Sequence, residues 1–139
     1  MAQNVQFSIA IHILAALACG CDRDVTSGDL ARSVNTSPSF VRRILAKLSK
    51  AGLVETVTGK AGKCWLAKDP KRISLLDIYQ AVGAPQAFAI HDYAEQKACP
   101  VSCHIKSALD KALGETQHAM ESSLDETSLA EVVANVRKK

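Results

Sequence analysis

The 139-residue chain is long enough for about one domain with an extension, and its 47% hydrophobic content suffices for a core. Only 4% of its residues are aromatic, so abundant Ala, Leu and Val favour packed helices over a sheet sandwich. The net charge of +3 is small, but residues 37–68 hold seven Lys/Arg against Glu55 alone, whereas residues 69–139 hold eight basic and ten acidic side chains. A positive field confined to one segment is what binding a polyanion requires. The apolar run Val5–Cys19 lacks a basic leader, contains His12 and is too short for a bilayer span. That points to a cytoplasmic protein without a membrane partner. There the five cysteines (Cys19, Cys21, Cys64, Cys99, Cys103) are expected to be reduced thiols, ligands or sensors rather than structural bridges.

In chain order, Val5, Ile9, Ile13 and Leu17 recur at helical spacing and predict a first helix over 4–19. Its opposite face carries Ser8, His12, Ala15 and Cys19. So apolar a helix must be covered on most sides, by other elements of the head or by a partner subunit. Gly20 and the Asp22–Asp24 turn end it. Thr26 or Ser27 can cap a second helix over 27–34, with Leu30, Ala31 and Val34 facing inward. Asn35-Thr36-Ser37 forms a turn, and Ser37 followed by Pro38 is N-cap chemistry for a third helix. On that helix Phe40, Val41, Ile44, Leu45 and Leu48 make one apolar face. Ser39, Arg42, Arg43, Ala46 and Lys50 lie opposite, with Lys47 at the edge and Gly52 at the end.

Leu53–Val57 and Lys63–Ala67 predict two short strands around the Gly/Lys-rich tip Thr58-Gly59-Lys60-Ala61-Gly62. Trp65 is expected to anchor the return strand on the head. Ser74-x-x-Asp77 caps a helix over 74–82 that stops at Gly83-Ala84-Pro85. Residues 84–98 show little periodicity and are expected to form a loop or partly helical connector. From Pro100 to Ser123 a long helix carries Ile105, Leu109, Ala112, Thr116, Ala119 and Ser123 at steps of four and three, a pattern suited to helix pairing. Ser128-x-x-Glu131 opens a last short helix. The fold class is therefore mainly α with a small β-hairpin wing: a winged helix-turn-helix plus a long dimerisation helix. The boundary expected from the sequence divides residues 1–83, the DNA-binding head, from residues 84–139, the connector, dimerisation helix and C-terminal helix.

Helix, turn, helix and basic hairpin is the order of a winged helix-turn-helix. The major groove admits one helix, whose outer face must be polar and cationic. Ser39, Arg42 and Arg43 can reach base edges, and Ser37 with the helix N-terminus can hold a phosphate. Lys47 extends the cationic edge, while Thr58, Lys60 and Lys63 on the wing can meet the backbone or minor groove. A cationic helix face is more often merely solvated. The confined charge, the Ser–Pro start and the Gly/Lys hairpin in the expected place together argue for double-stranded DNA. Enzyme activity is not expected: the sequence has no nucleotide loop, no serine–histidine grouping and no Cys-x-x-Cys on a strand-to-helix turn. A winged-helix module that docks protein instead of DNA is the alternative use of the same surface.

The segments LAKLSKAGLVE, WLAKDP, ISLLDIYQAV and the late SLAEVVANV resemble the Rrf-two family of bacterial regulators, nearly end to end. These are winged-helix repressors that include the iron–sulfur cluster regulator, the nitric-oxide sensor and the cysteine-metabolism repressor. The resemblance implies a homodimer whose long helix crosses to its partner and sets two heads on a pseudo-palindromic operator. It places Ser39, Arg42 and Arg43 where such proteins read bases, and Thr58 to Gly62 on the wing. Many members carry an Arg-Gly-rich wing; here Thr58-Gly59-Lys60-Ala61-Gly62-Lys63-Cys64 keeps the charge but lacks the planar fork of arginine.

Cluster-binding members of that family use three connector cysteines, and this chain offers Cys99 and Cys103 there. A [2Fe–2S] cluster, the alternative cofactor to none, takes four protein ligands. The remainder would have to come from His104, His91, or His12 of a neighbouring subunit. A thiol switch needs less. Pro100 puts Cys99 at the N-cap of the long helix, where the helix dipole favours a thiolate, and Cys103 lies one turn on as a resolving thiol. Simple packing is the plainer role for both, as for Cys19, Cys21 and Cys64.

Overall fold

The computed structural model of the chain describes residues 5–20, 25–57 and 62–138. Thr58, Lys60 and Cys21, named above, lie outside the described residues. In chain order come α1 (Gln6–Cys19), β1 (Val25–Thr26), α2 (Ser27–Val34), α3 (Pro38–Lys50), β2 (Val54–Thr56), β3 (Lys63–Leu66), a 3₁₀ turn (Pro70–Arg72), α4 (Leu75–Ala81), α5 (Pro100–Asp125) and α6 (Leu129–Arg137). They form two compact units, Met1–Ala84 with Leu124–Lys139, and Pro85–Ser123.

In the first unit α1 is the central element. It buries Ala10, Ile13, Leu14, Leu17 and Ala18, and α2, α3, α4, α6 and β3 all pack on it. No side chain caps its start at Val5. Burial of aliphatic surface, worth roughly 1.5–3 kcal/mol per large side chain, holds it instead. The expected cover for this helix is supplied by its own chain.

The two-stranded wing becomes a three-stranded antiparallel sheet in the order β1-β3-β2. Val25 pairs with Cys64 on one side of β3, and Thr56 pairs with the same residue on the other. The alternation along β3 corrects the expectation for Trp65. Cys64 faces the core at 4% exposure, so its neighbour must face out. Trp65 is 44% exposed, and its indole N–H donates to Glu55 Oε2 at 2.8 Å across the β2–β3 pair. The inward anchor is the cysteine.

Helices α4 and α6 begin side by side. Ser74 caps α4 in a reciprocal box with Asp77, and Ser128 accepts from Glu131 N–H at the start of α6. Between the two caps, Leu75 N–H donates to Thr127 O at 2.9 Å and Leu129 N–H to Ile73 O at 2.8 Å. Leu129 and Ile73 are fully buried behind this bridge. The boundary expected at 83/84 groups α6 with the connector; its leucine and backbone bridge instead place it in the head.

In the second unit, residues 85–98 contain turns and bends but no helix or strand. They are tied to the first turn of α5, where Tyr93 Oη donates to Ser102 O at 2.6 Å and Gln96 N–H to Ser102 Oγ at 2.8 Å. Within the chain α5 has no buried residue.

Candidate nucleic-acid interface

The helix-turn-helix is assembled from local chemistry. Thr26 Oγ1 accepts from Asp29 N–H at 3.1 Å, and Thr26 N–H donates back to Asp29 Oδ2 at 3.0 Å, closing a capping box at the start of α2. Arg32 pairs with the other oxygen of Asp29. The helix ends at Asn35, which takes a left-handed conformation (φ 65°) that asparagine tolerates better than most residues. That reversal starts the turn into α3, whose first turn is closed by Ser37 Oγ accepting from Phe40 N–H at 3.2 Å. Pro38 sits at the first helical position.

On α3, Val41, Ile44, Leu45 and Leu48 are buried against the core. Ser39, Arg42, Arg43, Ala46 and Lys50 are exposed on the other side. The structure thus gathers Ser37, Ser39, Arg42 and Arg43 at one end of one solvent-facing helix. The Arg43 guanidinium lies 5.2 Å from the centroid of the Phe40 ring, a cation–π contact that pre-orders the side chain. Lys47 is not with them. Its ammonium donates to Gln6 Oε1 at 2.8 Å and to Val82 O at 3.5 Å, on the flank of α3 towards α1 and α4.

At the wing root, Val57 N–H donates to Lys63 O at 2.9 Å, and Gly62 accepts from Ser27 N–H at 3.3 Å. Lys63 is half-buried at the start of β3. Between α3 and this root runs a groove of about 320 Å³ lined by Ser27, Arg42, Leu45, Ala46, Thr56, Val57 and Gly62. The sequence marks Ala46 as outward-facing but gives no sign that Ser27, Thr56 and Val57 join it. Their meeting depends on β1 and β2 both pairing with β3.

Cys64 is a packing residue: its Sγ–H is 3.6 Å from Val25 O, and burial, with a smaller contribution from the Asp29 charge, pushes its pKa up to about 11. Cys99 is exposed at the start of α5, where its Sγ lies 3.4 Å from Ser102 N–H and its carbonyl accepts from Cys103 N–H at 3.1 Å. Cys103 Sγ–H lies 3.6 Å from Gln96 O and 3.7 Å from Lys97 O. His12 Nε2 is 2.9 Å from Ser33 Oγ, linking α1 to α2. Among the described residues no helix is long and apolar enough to cross a membrane.

Comparison with known proteins fits this geometry. The family Rrf2, described as iron-dependent transcriptional regulators, matches residues 4–135. The chain belongs to the Rrf2 family. It is 40% identical over 131 residues to YwnA of Bacillus subtilis (strain 168), named as a candidate HTH-type transcriptional regulator, covering 94% of this chain and 96% of that one. A crystal structure of a candidate DNA-binding protein shares 38% identity at a TM-score of 0.73, over 91% of this chain and 97% of the other. That of a candidate transcriptional regulator from Lactobacillus plantarum gives a TM-score of 0.80 at 24% identity, over 96% and 90% of the two chains, and shows the fold alone. The Rrf2 family and these relatives are transcriptional regulators, not enzymes, and the head described above is their DNA-binding fold.

The iron of the Rrf2 description is not matched by a ligand set in this chain. Four ligands would be needed for a [2Fe–2S] centre. Among the described residues no three His, Cys, Asp or Glu side chains converge into a metal-holding group. Cys99 and Cys103 occupy adjacent turns, His104 is exposed on α5, and His12 is engaged by Ser33.

Proposed function

We propose that this Rrf2 regulator is a homodimeric, sequence-specific repressor whose DNA occupancy is set by the oxidation state of Cys99 and Cys103. The observation that carries it is the capped, outward-facing end of α3, with Ser39, Arg42 and Arg43 exposed over a fully buried inner face. Arg42 and Arg43 read base edges, Ser37 and the α3 N-terminus take a phosphate, and Thr58, Lys60 and Lys63 carry the wing onto the backbone. Pairing falls to α5, a 26-residue helix with nothing buried inside its own chain, which needs an apolar partner. A dimer seated on promoter DNA represses by occupying it.

The switch follows from the corner that the two thiols hold. Cys99 thiolate attacks a peroxide, the O–O bond breaks, and the products are a sulfenic acid and water. Cys103 thiol then displaces that hydroxyl as a second water and forms the S–S bond. The disulfide removes Cys103 from its contacts with Gln96 and Lys97 carbonyls and so remodels the connector–α5 junction.

The test is duplex binding by fluorescence anisotropy across a salt series, with and without peroxide. Reduced protein is expected to bind with a steep salt dependence. Arg42→Ala should weaken binding about 10- to 100-fold and relax preference at one base position. Cys99→Ser should bind like the reduced protein and lose release by peroxide. Unchanged peroxide sensitivity in that variant would overturn the thiol switch. Salt-independent binding would overturn the DNA assignment and leave protein docking as the use of this surface.

A further inference from the structure

The exposed face of α3 is not uniformly polar. Ala46 lies one turn beyond Arg42, near the middle of the solvent-facing side, and with Arg42 it lines the groove at the wing root. Across the groove stands Val57, a large aliphatic residue left 47% exposed in a segment that otherwise carries a strong positive charge. Val57 is held in place: its N–H bonds Lys63 O, and the neighbouring Thr56 pairs with Cys64. Leu45, buried, closes the floor, and the hydroxyls of Ser27 and Thr56 stand at the rim.

From these residues we infer that the groove is a thymine pocket, in which Ala46 and Val57 seat the C5-methyl of one thymine beside a guanine held by Arg42. The inference rests on the DNA assignment above. Its chemistry is selective, because thymine is the one base that presents an apolar group in the major groove. Cytosine would turn its N4 donor, and adenine its N6 donor, against a wall of methyl groups that cannot accept a hydrogen bond. At about 320 Å³ the groove has room for a base edge, and the Arg42 guanidinium at its margin suits the O6 and N7 acceptors of an adjacent guanine. Specificity then comes from two positions, Ala46 and Val57, that carry no charge and make no hydrogen bond through their side chains.

The test uses the full chain. Duplexes are enriched from a random pool, and each thymine of the enriched half-site is replaced singly by deoxyuridine, which removes only the methyl group. One thymine per half-site is expected to lose about fourfold in affinity on that change, the effect of one buried methyl group. Ala46→Ser and Val57→Thr should bind thymine and deoxyuridine duplexes alike. Enrichment without any deoxyuridine-sensitive thymine would overturn this inference alone. Failure to enrich any duplex would overturn the DNA assignment and the inference with it. A changed oligomeric state in Val57→Thr would assign the groove to a second copy of the chain and overturn the thymine pocket.

Discussion

Lys47 separates two ways of placing a cation on a reading helix. The sequence puts it at the edge of α3, where it could meet a phosphate; the structure ties it to Gln6 and Val82. Replacing it with methionine keeps the aliphatic stem and removes the ammonium. The 2.8 Å bond to Gln6 is short, while the 3.5 Å approach to Val82 O is at the limit of a hydrogen bond. A charged hydrogen bond contributes about 1.5–3 kcal/mol when sheltered, but this one is exposed, so about 1 kcal/mol is expected. In a unit of this size that lowers the melting temperature by about 4 °C. Gln6→Ala should lower it similarly, and the double variant should lose less than the sum because the two changes remove one contact. In DNA binding, Lys47→Met should leave the slope of log K against log salt unchanged, because no phosphate contact is lost. Lys60→Met on the wing should make that slope shallower by about 0.9. Calorimetry and a salt titration of the same samples decide it. A shallower slope for Lys47→Met with an unaltered melting temperature would refute the tether and return Lys47 to the phosphate backbone.

Three further outcomes are expected. Iodoacetamide at neutral pH should modify Cys19, Cys99 and Cys103 in the native protein and Cys64 only after denaturation, as peptide mapping would reveal; native labelling of Cys64 would contradict its burial. The same thiol, raised from 9.0 to about 11, stays neutral in the fold while it ionises in the unfolded chain. Its contribution to stability is therefore complete below pH 9 and declines between about pH 9 and 11, by at most about 1.4 kcal/mol per pH unit in urea titrations; Cys64→Ala should lack that decline. Leu129→Ala opens a cavity under the bridge between α4 and α6, so a loss of about 2–5 kcal/mol is expected by urea denaturation; a loss under about 1 kcal/mol would show α6 to be dispensable for the head. Finally, anaerobically purified protein should show no visible charge-transfer bands, and colour with bound iron would mean that ligands converge between subunits.

Where the sequence was informative, the chemistry was local. Ser37-Pro38 at the start of α3, the four-residue spacing of Val41, Leu45 and Leu48, and Ser74 with Asp77 on α4 each act within one or two turns, so they are visible as patterns. Both sides of the reading helix and the basic wing follow from that, and so does the family resemblance. Tertiary structure decided whatever depended on partners distant in the chain. Val25–Thr26 is too short to read as a strand, and it becomes one because β3 offers it an unpaired edge. Trp65 has the size of a core residue, but the pleat gives the inward position to Cys64. The start of α6 could be read from Ser128, whereas its docking required Ile73 and Thr127 to meet Leu129 and Leu75 through the backbone. Lys47 could be placed on an edge but not paired, since Gln6 lies 41 residues away. Helical periodicity and caps are short-range and written in residue types. Strand pairing, salt-tolerant tethers and the groove beside Arg42 arise from closure of the chain on itself, where the identity of one residue says little about which distant residue it will face.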